Sequence, residues 1–448
     1  MPQTPMRTRS RWFRRGTAPA LMLWICLWCN LNTGFNPLPD SPNLADIVLF
    51  IRGVVPFAVP PLAAFVLLRQ NRLRLPTLSP SRLLITYGAI AAFSTVFSPN
   101  PFWALYWSAA FLSTILVAWT FIDSKDPLDS TRQLLRITWV ATFIVAAIIG
   151  YQARGVVFGE GANGSGVISE LNGLSRSSGV ARWAAVPGLV CLVRAYYTRH
   201  RGLIAFFLGT AAVSFFIVYR MQSRGAVFGG VGALLFALLV SSRMRRYALP
   251  FAIIAIVLIF VLESPGTVSH HVTTYLQRGQ SREEFLTMTG RTRTYEHSIA
   301  TIEEAPFLGR GQWADRMILH EPVHNSFLQA LLNAGIIGGI PYFASWATGW
   351  LLFYRLQKRN EFLNPADRIH LLECGTVMMF FTLRAIPKTT TASYAVDLLV
   401  MVAIYVYLER LTLSTVVKRI PLIIRPYAIP IRTNRPQPPV GMVGNRQI

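Results

Sequence analysis

The chain contains few acidic residues. Asp and Glu together number 20 against 43 Lys and Arg, and charged residues of both signs make up only 14% of the 448 residues. Hydrophobic residues reach 52%, and the mean hydropathy is +0.41. This composition excludes an ordinary soluble globular protein and indicates a protein that crosses a membrane many times.

Cysteine is also scarce. The four cysteines, Cys26, Cys29, Cys191 and Cys374, all fall inside apolar segments. Their positions exclude a disulfide framework and a zinc ribbon. We expect Cys26 and Cys29 to be a pair of buried thiols, as free cysteines usually are.

The net charge is nevertheless large, at +23. In a soluble protein such an excess would suggest a nucleic-acid partner. Here Lys and Arg stand in short clusters between apolar runs, which is typical of charges that orient a membrane protein. We therefore predict membrane lipids, and no nucleic acid, as partners.

Apolar runs of roughly 16 to 28 residues recur about twelve times, and each can cross a hydrocarbon core about 30 Å thick. We predict an all-α fold, a polytopic integral membrane bundle of about 12 transmembrane helices. The predicted spans begin near residues 17, 45, 82, 101, 134, 179, 202, 225, 247, 326, 368 and 392.

The predicted organisation has five parts. They are a basic cytoplasmic N-terminus (1–16), nine transmembrane helices (17–263), a large periplasmic loop (264–325), three further transmembrane helices (326–411) and a basic, Pro-rich cytoplasmic tail (412–448). The orientation follows from the Lys and Arg clusters of alternate connections. Polar and apolar residues mix at helical spacing in the loop before Pro306, so we expect short amphipathic helices there.

Several cations lie on the side that is predicted to face outward, among them Arg182, Arg224, Arg384 and Lys388. Outward cations beside helix ends oppose the usual distribution of charge. Such residues are commonly retained because they bind something anionic. Contact with lipid head groups explains any single one of them, but explains the whole group less well.

Residues 320–324, His-Glu-Pro-Val-His, match the H-E-x-x-H pattern of zinc peptidases. Pro322 opposes that interpretation, because a proline inside the helical turn costs about 3 kcal/mol and removes a backbone hydrogen bond. No third ligand stands in a suitable place. We predict no metal site, and an intramembrane metallopeptidase is a remote alternative.

His324 precedes a long apolar run, with Asn325 or Ser326 as the expected N-cap. The positive end of the helix dipole disfavours imidazolium there. A neutral imidazole is suited to act as a general base towards a hydroxyl. A purely capping or packing histidine is the alternative.

Two arginines stand next to glycines, Arg224 before Gly225 and Arg291 after Gly290. Glycine allows a ligand to approach the backbone closely. One guanidinium group can bind two oxygens of a phosphate at once. Near a helix N-terminus such arginines suit a pyrophosphate group. With lipid-length helices, this suggests a substrate that has a diphosphate and a long lipid tail.

The order of several motifs resembles the O-antigen ligase and O-antigen polymerase superfamily of bacterial envelope polysaccharide glycosyltransferases. The resemblance is specific over residues 223–340 and loose over most of the chain. The motifs are Ser223-Arg224-Gly225-Ala226, Thr289-Gly290-Arg291-Thr292, Pro306-Phe307-Leu308-Gly309-Arg310-Gly311, His324-Asn325-Ser326-Phe327-Leu328-Gln329 and Asn333-Ala334-Gly335-Ile336-Ile337-Gly338.

The resemblance implies a GT-C-like glycosyltransferase of the bacterial inner membrane whose active site faces the periplasm. Such an enzyme transfers a glycan from undecaprenyl pyrophosphate to a hydroxyl of the lipid A core or of a growing glycan, in lipopolysaccharide or exopolysaccharide biosynthesis. The transfer is inverting and needs no metal or cofactor.

The resemblance also implies roles for particular residues. His324 matches the histidine that activates the acceptor, and Arg224 and Arg291 match arginines that stabilise the leaving pyrophosphate. Arg310 and Arg182 are further candidates for pyrophosphate binding. Asn325 either orients His324 or caps the following helix, and capping is favoured.

Alternatives remain open at this stage. A ligase, a polymerase and a protein-glycosylating relative would share this chemistry and differ in the acceptor. A twelve-helix secondary transporter is the alternative from another class. It should show an internal repeat and charges near the middle of the membrane, whereas the main charged cluster here is predicted at one face.

Overall fold

The computed structural model describes residues 18–31, 44–70, 79–122, 126–155, 177–221, 223–241, 243–246 and 291–417. All regular elements in these ranges are helices. The principal ones are α1 (Ala18–Cys29), α2 (Leu44–Gln70), α3 (Pro80–Phe93), α4 (Pro101–Thr120), α5 (Pro127–Gln152), α6 (Ser177–Tyr197), α7 (Arg201–Arg220), α8 (Arg224–Val240), α9 (Arg291–Glu304), α10 (Ala314–Ile318), α11 (Ser326–Gln357), α12 (Pro365–Ala385) and α13 (Val396–Val417).

Five of these helices are long and apolar enough to cross a membrane: α2, α4, α5, α7 and α11. α1 and α8 are shorter and also apolar. The chain is therefore a mostly helical, multi-pass membrane protein. Helices stand near every predicted span start except the one near residue 247, which lies outside the described residues together with 264–290. The number of twelve spans stays a prediction.

Proline sets the start of several helices. Pro80, Pro101, Pro127 and Pro365 each stand in the first turn, where a missing N–H is harmless and the fixed φ already suits a helix. Each proline therefore fixes the residue at which a connection stops and a helix begins. Polar side chains can lie close together at these helix ends.

The core lies along α13. Its residues from Leu398 to Leu408 are all buried, because α13 packs against α3, α4, α5, α11 and α12. The prediction that Cys26 and Cys29 are buried thiols was wrong, since both are exposed on α1. In a membrane bundle an outward face is itself apolar, so an apolar sequence does not distinguish it from the core.

α11 is broken. Gly335 has φ 59° and ψ −165°, which divides the helix into a short first part and a long second part. The unusually long apolar run after residue 326 is explained by this break. A break exposes backbone groups that must find other partners in a membrane protein.

The chain between α9 and α10 fills the break. Ile336 N donates to Pro306 O at 2.7 Å, and Gly311 N donates to Asn333 O at 2.8 Å. A Cβ on Gly309, where φ is +68°, would lie 2.6 Å from Ala334 N. Two of the motifs that carry the resemblance are therefore interlocked through backbone, and glycine is needed for that contact.

α9 and α10 are short helices within residues 264–325, the range predicted to form the large loop. α9 ends just before Pro306. Tyr295 and Ile302 pack on a small cluster formed by Ala314, Val323 and Leu332. α9 is thereby attached to the first part of α11, next to His324.

Candidate active site

His324 lies in the non-helical segment between α10 and α11, half-buried, with φ at +57°. His320 has the same positive φ, and residues 320–325 contain no helical turn. The two histidines are therefore not presented on one helical face, which is the arrangement that an H-E-x-x-H zinc site requires.

The neighbours of His324 are held on both sides. Asn325 is the N-cap of α11: its Oδ1 accepts from Phe327 N at 2.9 Å and from Leu328 N at 3.0 Å. Before it, Val323 is fully buried in the small cluster with Ala314 and Leu332. The left-handed backbone of His324 is thus fixed between two anchored residues.

Asp315 was not predicted from the sequence. It is 1% exposed, and burial raises the pKa of its carboxyl group above the ordinary value. The only sequence signal was an acidic residue beside aromatic and apolar neighbours in a loop, which is weak.

The start of α11 is attached to the connection between α12 and α13. Asn325 Nδ2 donates to Ile386 O at 3.1 Å, and Ser326 Oγ donates to Lys388 O at 3.2 Å. Ser326 Oγ also accepts from Thr390 N at 2.7 Å. Residues 386–390 therefore form one wall of the site.

Arg224 is the first residue of α8 and is partly buried. The following Gly225 lies against the same wall, since a Cβ there would be 3.8 Å from the side chains of Pro387 and Lys388. The N-termini of α8 and α11 thus meet on residues 386–390. Two helix N-termini turned to one place favour an anion there.

Arg291 begins α9 and is partly buried. Burial lowers the pKa of its guanidinium below the ordinary value, while the ring hydroxyl of Tyr295 opposes that effect. One turn later, Tyr295 OH donates to His324 O at 3.2 Å, and Thr294 Oγ1 donates to Glu321 Oε1 at 2.6 Å. The first turn of α9 is therefore bound to the segment that carries His324.

Arg310 is not brought to His324 by these contacts. Its guanidinium pairs with Glu304 at 3.2 Å on an exposed surface, and its backbone N–H donates to Leu332 O at 2.9 Å. The backbone contact belongs to the filled break of α11. These structural contacts explain the position of Arg310, and so would a role in binding pyrophosphate.

Arg182 lies deeper, in α6. Its Nη1 is 3.0 Å from Asp397 Oδ2, and Arg384 Nη1 is 3.2 Å from the same oxygen. Arg384 is in the last turn of α12, just before residues 386–390. The sequence marked Arg384 and Lys388 only as outward cations, and it gave no reason to pair Arg182 with Asp397.

The comparison with known families bears on the same residues. Residues 209–343 match the O-antigen ligase family. The resemblance to the O-antigen ligase and polymerase superfamily is confirmed by this match. The matched segment is less than a third of the chain and contains Arg224, Arg291, Arg310 and His324, whereas Arg182 lies outside it. No curated protein matches the chain.

The segment that matches the O-antigen ligase family therefore includes both interlocked motifs. It also includes Arg224, Arg291 and His324, whose neighbours in the chain are joined by contacts: Tyr295 to His324, and Gly225 and Ser326 to residues 386–390. A half-buried histidine stands beside a helix N-terminus, with one arginine on each neighbouring helix start. Such an arrangement is suited to bind an anionic group and to accept a proton next to it.

Proposed function

We propose that this protein is an inner-membrane glycosyltransferase that transfers a glycan from undecaprenyl pyrophosphate to an acceptor hydroxyl. The proposal is supported by the contacts of three helix starts, all within the O-antigen ligase match: α9 is bound to the His324 segment through Tyr295, and the starts of α8 and α11 both lie against residues 386–390. The acceptor is a sugar of the lipid A core or of a growing glycan.

In the proposed reaction, the acceptor oxygen attacks the anomeric carbon from the face opposite the pyrophosphate. A new C–O bond forms, the bond from that carbon to the phosphate oxygen breaks, and the configuration inverts. His324 takes the hydroxyl proton. Arg224 and Arg291, with the N-termini of α8 and α11, stabilise the negative charge that develops on the leaving pyrophosphate.

Charge placement supports a mechanism without a metal. The leaving group needs cations, and arginines provide them in a fork that matches phosphate oxygens. The nucleophile needs only a base of suitable proton affinity, which imidazole provides. The residues named here therefore account for both requirements of the transition state.

A deletion strain tests the function and distinguishes the two closest activities. If the protein is a ligase, the strain should lose all capped lipopolysaccharide and accumulate lipid-linked polymer. If it is a polymerase, lipopolysaccharide should carry single repeats. Unchanged lipopolysaccharide and exopolysaccharide in the deletion strain, at normal levels of lipid-linked precursors, would contradict the proposal.

A further inference from the structure

Buried ion pairs join α12 to its neighbours, and two of them are fully satisfied. Arg132 Nε and Nη2 reach Asp367 Oδ1 and Oδ2 at 2.8 and 2.6 Å, and Tyr407 OH donates to Asp367 Oδ1 at 3.0 Å. Arg194 Nε reaches Glu373 Oε1 at 2.7 Å, and Trp139 Nε1 reaches Oε2 at 3.0 Å. Each carboxylate uses both oxygens, as a structural pair should.

The ion cluster at the other end of α12 is different. Arg182 and Arg384 share a single oxygen, Oδ2 of Asp397. Among the residues that the structure describes, Asp397 Oδ1 and the Nε atoms of both arginines are buried without a hydrogen-bond partner. The side chains of Arg384 and Asp397 are 3% and 0% exposed. In the described part of the chain, the cluster has two cations and one anion. The excess positive charge is buried, which is unfavourable unless another anion joins them.

The cluster lies beside the proposed donor site. Arg384 is in the last turn of α12, and its backbone O accepts from Lys388 N at 3.0 Å. Lys388 is the residue that lies against Gly225, next to Arg224, and whose O accepts from Ser326. One short stretch of chain therefore connects the excess charge to the N-termini of α8 and α11.

We propose that Arg182 and Arg384 form a second anion subsite, closed in this structure by Asp397, that takes a phosphate group of the donor's diphosphate. This inference rests on the proposed function. Phosphate displaces the Asp397 carboxylate from the two guanidinium groups and fills their remaining donors. Asp397 thus keeps the arginines in place when no donor is bound, and it competes with the donor for them.

Binding of undecaprenyl pyrophosphate to the full chain in nanodiscs tests the subsite. Arg384→Gln should raise the Kd about tenfold or more, because a hydrogen-bonded charge is lost. Asp397→Asn should lower the Kd, because the competing carboxylate is gone. Asp367→Asn is the matched control, since it breaks a buried pair on the same helix at the other end, and its Kd should equal that of the wild type.

Two results would overturn the subsite: an unchanged Kd in Arg384→Gln, or a higher Kd in Asp397→Asn. The second would mean that the cluster only supports the fold. If Arg384→Gln does not accumulate in the membrane, Arg182→Gln provides the same test.

A second measurement distinguishes two sources of the bound phosphate group, the donor's diphosphate and a phospholipid head group. Nanodiscs with and without phosphatidic acid should give the same Kd for undecaprenyl pyrophosphate, and competition by that lipid would instead assign the subsite to a phospholipid head group. Tight binding without any glycan transfer by the wild type would contradict the proposed function and leave the subsite standing.

Discussion

At the scale of single residues, the backbone of His324 is the most informative feature. A left-handed φ in a residue other than glycine costs about 1 kcal/mol, and His324 has φ +57°. The strain is maintained because Val323 is fully buried on one side and Asn325 caps α11 on the other. Strain of this kind concentrates at functional sites, which supports a role for the imidazole beyond packing.

Asn325 should affect both stability and activity. Asn325→Ala removes the acceptor for Phe327 N and Leu328 N, and the loss of an N-cap costs about 1 kcal/mol. Asn325→Asp keeps that acceptor but loses the Nδ2 donor to Ile386 O, so it should restore only part of the thermal stability measured in detergent. Its added negative charge should raise the KM for the donor. Equal stability of the Ala variant and the wild type would contradict the capping role.

Arg291 should show a pH-dependent defect when it is changed to lysine. Burial lowers the pKa of this group, and the ordinary pKa of lysine, about 10.4, is already lower than that of arginine. The same burial lowers the pKa of the lysine further, so its charge is present at low pH and is lost as pH rises. Arg291→Lys should be about tenfold less active near neutral pH, because the guanidinium fork is lost.

The defect of Arg291→Lys should deepen relative to the wild type as pH rises from about 7 towards the ordinary lysine pKa of about 10.4. Initial transfer rates measured across that range provide the check. Arg293, exposed on the same helix, supplies the control: Arg293→Lys should follow the wild-type pH profile. Parallel profiles for Arg291→Lys and the wild type would show that no buried charge is needed at this position.

At the scale of elements, the break in α11 positions the site. The first part of α11 begins at Ser326, directly after His324 and the N-cap Asn325. It ends at Gly335, where residues 306–311 bind the freed backbone groups. The direction of this short helix part, and so of its N-terminus, depends on the interlocked backbone. Gly335, which stands 11 positions after His324 in the sequence, therefore controls where the imidazole lies.

Gly335→Ala should prevent normal folding. A Cβ at this position would overlap the Phe307 carbonyl group, and φ is +59°; together these should destabilise the protein by more than about 3 kcal/mol. Gly209→Ala is the matched control, because nothing lies within 4 Å of a Cβ there. Thermal unfolding in detergent should separate the two variants, and a normal midpoint for Gly335→Ala would refute the interlock.

At the scale of the whole molecule, the predicted orientation can be tested by labelling. Glu321 and His200 are both exposed, and His200 lies at the start of α7, about 30 Å along that helix from its end near Arg224. In a background without the four native cysteines, Glu321→Cys should react with an impermeant maleimide from the periplasmic side. His200→Cys should react only after the membrane is opened, and the reverse pattern would invert the topology.

Much of the architecture was predictable because hydrophobic length and helix-capping residues are local signals. Pro80, Pro101 and Pro127 mark helix starts directly. The capping geometry of Asn325 follows from its position before an apolar run. The resemblance to the O-antigen ligase family could be recognised from the sequence, because each motif is a short stretch of chain and the motifs follow one another in a set order.

The remaining features depend on contacts between distant parts of the chain. The pairing of Arg182 with Asp397 joins residues 215 positions apart, and no local pattern encodes it. The contact of residues 306–311 with the break in α11 could not be predicted either. The sequence shows the glycines but not which backbone segment lies against them. The outward exposure of Cys26 and Cys29 was missed because lipid-facing and buried positions share one composition.

The most direct test of the account is glycan transfer by His324→Asn in nanodiscs, with the undecaprenyl-pyrophosphate-linked glycan and an acceptor. Asparagine tolerates the left-handed backbone, so the variant should fold and bind the donor like the wild type. We predict that it transfers at least about a hundredfold more slowly, as expected when a general base is lost. Transfer at the wild-type rate would contradict the assignment of His324 as the base.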